Sequence, residues 1–252
     1  MTKRHSKILD ALVKQQRIDV TALSGLLGVS QVTVRKDLDL LEERGMIRRQ
    51  HGYACLDVAS DVGRRLAYHY DIKKRIAKAA ADTVNDGDTV MIESGSCCAL
   101  LAEELVLTKK DITIITNSAF IAHYIRKARH SKIILLGGYY QPDTQVTVGP
   151  MTKKCGELFF ANKFFIGVDG FSPKFGFTGK DHLQVQTVLD LSEYAQGLIV
   201  LTESEKFRQQ GVLGLAKAQN ISAVYTDDGI PPDSETALLE HNVKIYKVPE
   251  HG

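Results

Sequence analysis

Residues 28–38 read Gly28-Val29-Ser30-Gln31-Val32-Thr33-Val34-Arg35-Lys36-Asp37-Leu38, and the fold of the amino-terminal part of the chain turns on them. Gly28 suits the left-handed conformation that ends a helix. Ser30 is a capping residue, able to accept a hydrogen bond from a backbone N–H two or three positions on. Val34, Leu38 and Leu41 then recur at helical spacing, which predicts a helix over Gln31–Glu43. Upstream, Ala22, Leu23, Leu26 and Leu27 form an apolar stripe that stops at Gly28, and Ile8, Leu9, Leu12 and Val13 form another over 5–15, with a short extended piece at 17–20 between them. Two short helices joined by a tight glycine-containing turn are a helix-turn-helix, whose second helix enters the DNA major groove.

The face of that helix turned away from its stripe carries matching chemistry. Gln31 can pair bidentately with adenine, Val32 can touch a thymine methyl, and Lys36 can reach guanine or phosphate. Thr33 and Arg35 are placed for backbone phosphates, which set register without reading sequence, and Ser30 joins them at the helix start. Gly45 permits a sharp exit, and 46–53 reads as a small hairpin. Its basic residues Arg48, Arg49 and His51 would form a wing over the adjacent DNA backbone.

The charge supports this reading only when divided. The 252 residues carry 32 Lys and Arg against 30 Asp and Glu, a net +2 too even for a histone-like coat or a polybasic membrane binder. Residues 1–56 hold ten basic and six acidic groups, a net +4, and the remainder is −2. Cys55, Cys97, Cys98 and Cys155 show no C-x-x-C spacing, which points to reduced thiols, and adjacent cysteines make only a strained disulfide. His123, His130 and His182 match no zinc spacing, so no metal is expected. The basic amino terminus runs into an amphipathic pattern unlike a signal peptide, and no apolar run approaches the ~18 residues that span a bilayer. A cytoplasmic protein without membrane contact is expected.

From Leu56 to about Arg65 the periodicity fades. The organisation expected is a DNA-binding domain at 1–56, a linker at 57–70 and a second domain at 71–252. A helix over 68–84 places Ile72, Ile76, Ala80 and Val84 four residues apart, and apolar, β-branched strands follow at 89–92, 112–115, 132–136, 164–168, 198–201, 223–226 and 244–248. Helical patterns between most of them imply a mostly parallel sheet covered on both faces. Ligands in such sheets sit at the carboxyl ends of the strands. There the chain has Glu93-Ser94-Gly95-Ser96-Cys97-Cys98, Thr116-Asn117-Ser118, Gly137-Gly138, Asp169-Gly170 and Thr202-Glu203-Ser204-Glu205-Lys206-Phe207. Small residues opening a helix, as after the first strand, leave N–H groups and the positive dipole end open to an anion.

The stretch 28–38, followed by Leu41-Glu42, Gly45 and His51-Gly52, resembles the DNA-binding signature of the DeoR family of bacterial transcriptional regulators. The polar strand ends resemble that family's carboxy-terminal effector domain, a fold similar to ribose-phosphate isomerases and CoA transferases, so the resemblance covers nearly the whole chain. It implies an α/β protein with a small winged helix-turn-helix ahead of a larger, mostly parallel effector domain. It further implies a repressor of a carbohydrate-metabolism operon that binds double-stranded operator DNA as a homo-oligomer, answers to a phosphorylated sugar, and has no cofactor and no catalytic residues. Glu93, Ser94, Gly95, Ser96, Thr116, Asn117, Gly137, Gly138, Asp169, Gly170 and Lys206 occupy the family's effector-binding positions.

Four departures stand out. Tyr53 replaces a common second glycine of the wing, Gly95-Ser96-Cys97 a Gly-Thr-Thr loop, Val188-Leu189 a Lys-Arg pair, and Glu203 an Asp. Carboxylates at strand ends, Glu93 and Glu203, also keep open an isomerase or CoA-transferase-like enzyme with an accessory DNA-binding arm. A scaffold whose sheet domain serves only to oligomerise is the third reading.

Overall fold

Two side-chain caps set the helices of the amino-terminal unit. The computed structural model describes residues 2–50, 52–56 and 61–250. Helix α1 (Lys3–Gln15) buries Ile8, Leu9, Ala11 and Leu12, and the chain then passes into strand β1 (Arg17–Asp19). Asp19 accepts from the Ala22 N–H at 2.8 Å and starts helix α2 (Val20–Leu27). Gly28, at φ 64°, ends it, and Ser30 accepts from the Thr33 N–H at 3.3 Å to start helix α3 (Gln31–Glu43), with the boundaries the sequence predicts. Val34, Leu38 and Leu41 are fully buried. Strands β2 (Ile47–Gln50) and β3 (Tyr53–Leu56) form the expected hairpin, and β1 pairs antiparallel with β3 to give the order β1-β3-β2.

The first compact unit extends to Asp71. Of the expected linker, residues 57–60 lie outside the described residues. The rest is largely helix: α4 (Asp61–Ala67) packs on α1 and β3, with Val62, Leu66 and Ala67 buried. A seven-residue helix holds too few turns to show a period, so its sequence reads as irregular.

The second unit follows from Ile72, within helix α5 (Tyr70–Ala81), through strand β4 (Thr89–Ile92), helix α6 (Ser96–Thr108), strand β5 (Thr113–Thr116), helix α7 (Ala119–Tyr124) and strand β6 (Lys132–Leu135). A short antiparallel pair, β7 (Tyr139–Gln141) and β8 (Val146–Val148), precedes helix α8 (Pro150–Gly156) and strand β9 (Lys163–Ile166). Next come β10 (Gly170–Ser172), β11 (Gly176–Gly179), helix α9 (His182–Ser192), β12 (Leu198–Leu201), a 3-10 turn at Ser204–Arg208 and β13 (Leu213–Ala216). Strand β14 (Ala223–Asp227), helix α10 (Pro232–Leu239) and strand β15 (Lys244–Val248) complete it.

Seven of these strands make one parallel sheet in the order β15-β14-β12-β9-β4-β5-β6, and they are the seven strands expected from the sequence. Every residue of β12 and β14 is buried, as strands covered on both faces require, while the edge strands β6 and β15 are only partly buried. Five strands escape sequence reading: the pair β7–β8, and β10, β11 and β13, which form a separate antiparallel sheet in the order β10-β11-β13. Phe171 and Phe177 of that sheet pack with Phe207 of the 3-10 turn, ring centroids 4.8 to 6.1 Å apart. The parallel sheet starts in its interior: the chain builds from β4 outward through β5 to β6, then returns to β9 on the other side of β4. The carboxyl ends of β4 and β9 therefore flank the switch point, where α/β sheets hold ligands.

Candidate functional site

At the head of α3, Gln31, Val32, Arg35 and Lys36 are exposed, Val32 to 61%, and Thr33 is half-buried. The Gln31 side-chain amide donates to Thr21 Oγ1 at 3.2 Å, and the Ser30 and Thr33 hydroxyls lie 3.0 Å apart. Asp37, on the opposite face, is buried and belongs to the scaffold: it accepts from the Arg4 guanidinium, including a 2.9 Å bond, and from His5 Nε2 at 3.1 Å, tying α3 to α1. The Thr2 N–H donates to His5 Nδ1 at 3.0 Å, which fixes the neutral tautomer with its proton on Nε2. Burial holds His5 below its ordinary value against the opposing pull of Asp37, and the Arg4 hydrogen bond draws Asp37 down.

The hairpin separates the two arginines read together in the sequence. Arg48 is exposed, whereas Arg49 pairs with Asp39 on α3 and its N–H donates to Glu42 at 2.8 Å. His51 lies outside the described residues. Tyr53 opens β3, and the Arg17 guanidinium sits 3.8 Å above its ring.

At the sheet switch point, Glu93 works as a staple. Its Oε2 accepts from the Gly95 N–H at 2.8 Å and the Gly167 N–H at 3.1 Å, and its Oε1 from the Ser94 hydroxyl, so one carboxylate joins the loops after β4 and β9. The backbones touch there: a Cβ on Gly95 would lie 3.1 Å from Gly167 Cα. Ser96 and Cys97 begin α6, whose cap residue Gly95 has no side chain with which to accept from the first turn. Helix α9 differs, because Asp181 caps it by accepting from Gln184 N–H at 2.9 Å.

The other expected residues also hold loops in place. Asn117 donates from Nδ2 to Thr147 O at 2.9 Å, Thr116 Oγ1 accepts from Ser118 N–H at 3.0 Å, and Gly137 O accepts from Thr152 Oγ1 at 2.8 Å. Gly138 leaves no room for a Cβ beside Thr152. Asp169 accepts from the Lys180 N–H at 3.0 Å, and Gly170 packs directly on the Gln209 backbone. Lys206 is half-buried, on the 3-10 turn anchored by Phe207, and its ammonium has no partner among the described residues.

Sequence reasoning missed the neighbours of Glu203. Lys73, buried in α5, meets Glu203 Oε1 at 3.1 Å, and the Cys97 thiol lies 3.9 Å from Glu203 Oε2. Burial foremost, and then the Glu203 charge, push the Cys97 thiol well up, so it stays protonated. Asp227, at the end of β14, accepts from the Ser204 N–H at 2.7 Å and so positions the Lys206 turn. The available signal for Lys73 was a cation three residues before Ile76, beside an apolar stripe.

Comparison with known proteins agrees with both halves. Residues 4–59 match the family model for the DeoR-like helix-turn-helix domain, and residues 68–228 that for the DeoR C terminal sensor domain. The chain is 28% identical to a candidate aga operon transcriptional repressor of Escherichia coli O157:H7, over 99% of this chain and 94% of that one. It is 27% identical to the HTH-type transcriptional regulator UlaR of Shigella dysenteriae serotype 1, over 98% of each. Among solved structures, the full-length sorbitol operon regulator SorC of Klebsiella pneumoniae aligns at TM-score 0.41 and 11% identity, covering 94% of this chain and 97% of that one. Ribose 5-phosphate isomerase A of Neisseria gonorrhoeae aligns at TM-score 0.41 and 12% identity, over 54% and 53%.

Proposed function

The chain belongs to the DeoR family of DNA-binding transcriptional regulators, and from that premise we propose that it represses a carbohydrate-metabolism operon under control of a phosphorylated sugar. Its partners are an operator duplex and that effector, its working form is a homo-oligomer, and it acts in the cytoplasm. The observation that carries the effector reading is the start of α6, capped by a glycine with no side chain, at the switch point between β4 and β9. A helix start without a side-chain acceptor offers N–H groups and a positive dipole end to phosphate. Lys206 supplies a cation without a competing carboxylate among the described residues. Glu93, Asn117 and Asp169 shape the loops around the site, and Ser94, Gly95, Ser96, Thr116, Gly137, Gly138 and Gly170 line it.

The same geometry supports binding without turnover. A general base must present a carboxylate to substrate. Glu93 is engaged by three donors and Glu203 by Lys73. An effector that favours one conformation shifts the population by its differential affinity and thereby alters how paired recognition helices fit spaced half-sites.

Isothermal titration of the full chain against a panel of phosphosugars tests the site. One member is expected to bind, and Lys206→Ala to weaken it by about tenfold or more, as the loss of a charge-assisted hydrogen bond of 1.5–3 kcal/mol implies. Heats unchanged by Lys206→Ala would remove Lys206 from the site.

A further inference from the structure

The wing is a three-stranded sheet with two distinct faces, and its strand register assigns each basic residue to one of them. Directly paired residues project to the same side of a sheet, and so do alternate residues of one strand. Arg17 pairs with Cys55 and Asp19 with Tyr53, while Arg48 pairs with Cys55 and Gln50 with Tyr53. One face therefore carries Arg17, Asp19, Arg48, Gln50, Tyr53 and Cys55. The other carries the buried Ile18, Ile47 and Ala54, together with Arg49, which is held by Asp39 and Glu42 of α3. On the outer face the Asp19 carboxylate is turned to the start of α2, where it accepts the Ala22 N–H. The two guanidiniums there, Arg17 and Arg48, are both exposed. Arg17 has no ion pair among the described residues and is laid over the Tyr53 ring. An aromatic face restricts a guanidinium without neutralising it.

Two hydrogen bonds place the turn end of this sheet beside the start of the recognition helix. The Val20 N–H at the start of α2 donates to Gly52 O at the hairpin turn, at 3.2 Å, and the next residue, Thr21, accepts from Gln31 at the start of α3. Wing turn, α2 start and α3 start thus meet at one end of the unit.

We propose that Arg17, oriented by Tyr53, is a DNA-phosphate contact on the outer wing alongside Arg48, and that Arg49 is a positioning residue that fixes the hairpin on α3 without touching DNA. This rests on the DNA-binding reading. It also gives Tyr53 a role: a glycine there could not hold Arg17.

The test is fluorescence anisotropy of the full chain on a mixed-sequence duplex of about 30 base pairs, with KCl varied from about 50 to 200 mM. A phosphate contact adds about −0.9 to the slope of log affinity against log salt, whatever the sequence. Arg17→Gln is expected to make the slope shallower by about 0.9 for each subunit bound, and Arg17→Lys, which keeps the charge, to retain it. Tyr53→Leu is expected to weaken binding at fixed salt with the slope unchanged, and Arg49→Gln to leave the slope at its wild-type value. Thermal melting of each variant registers the fold independently of DNA. A wild-type slope in Arg17→Gln, or a lost contact in Arg49→Gln with unaltered melting, overturns the assignment. A wild-type chain without salt-dependent duplex binding removes the DNA-binding reading itself, and this inference with it.

Discussion

Asp37 lies within the signature stretch 28–38, yet it is buried and carries the scaffold. Its carboxylate receives Arg4 and His5 in a buried setting, so Asp37→Ala leaves two donors without an acceptor. Losing hydrogen bonds to a charged group costs about 1.5–3 kcal/mol each, and a net loss of about 2 kcal/mol in urea unfolding is expected. The same triad predicts a pH dependence. His5 and Asp37 both titrate below their unfolded values of 6.5 and 3.8, so each contributes stability that is complete above its unfolded value and lost as pH falls through its folded one. For His5 the loss starts near pH 6.5, because burial disfavours the charged ring, and protonation also puts a hydrogen on Nδ1 that breaks the bond from the Thr2 N–H. Melting midpoints should decline between pH 7 and 5 in the wild type and less so in His5→Gln. Parallel profiles for the two proteins would contradict this account.

At the scale of elements, the parallel sheet was legible because a strand buried on both faces reads as an uninterrupted apolar run, as in Leu198–Leu201 and residues 90–92. Helix α3 was legible from Ser30 and its stripe. The β10-β11-β13 sheet was not, since strands of three or four residues containing Gly170, Gly176, Gly179 and Gly214 have no period, and their pairing is set by contacts distant in sequence. Lys73 was hidden for a related reason: its partner Glu203 lies on another element, and a buried cation looks like an exposed one in sequence. The small sheet also matters for the site, because the Phe171 N–H donates to Gln209 O at 2.9 Å and ties the Lys206 turn to β10. A Cβ on Gly170 would lie 2.3 Å from Gln209 O and 2.8 Å from Gln210 Cα, atoms of the backbone that cannot rotate aside. Gly170→Ala is thus expected to cost about 1–3 kcal/mol in chemical denaturation, as overpacking does. Gly214→Ala, with nothing within 4 Å of the added carbon, should stay within about 0.5 kcal/mol. Equal stabilities for the two variants would refute the packing argument.

For the molecule as a whole, the net +2 conceals a +4 over residues 1–56 and a −2 over the remainder. Four charges are too few for tight binding by bulk attraction, so on the proposed reading affinity comes from a few placed residues and from joining heads. Two helix-turn-helix units on half-sites about 34–36 Å apart act as one bivalent ligand, and tethering adds about 10²- to 10⁴-fold over either head alone. On the proposed reading that joining lies in the second unit. Its edge strands β6 and β15 are open on one side, and Met151, Leu158 and Phe160 expose 63%, 76% and 63% of their surface within one short segment. Scattered apolar residues need no explanation, but grouped ones mark contact surfaces. The full chain should therefore sediment as a dimer or larger assembly, and a fragment of residues 1–71, the first compact unit, as a monomer with an undiminished helical circular-dichroism signal. On a duplex selected for tight binding by the full chain, the fragment is expected to bind about 10²- to 10⁴-fold more weakly, with a salt slope reduced in proportion to the heads lost. Equal affinities, or a full chain that sediments as a monomer, would place operator affinity in the single head and leave the second unit as sensor alone.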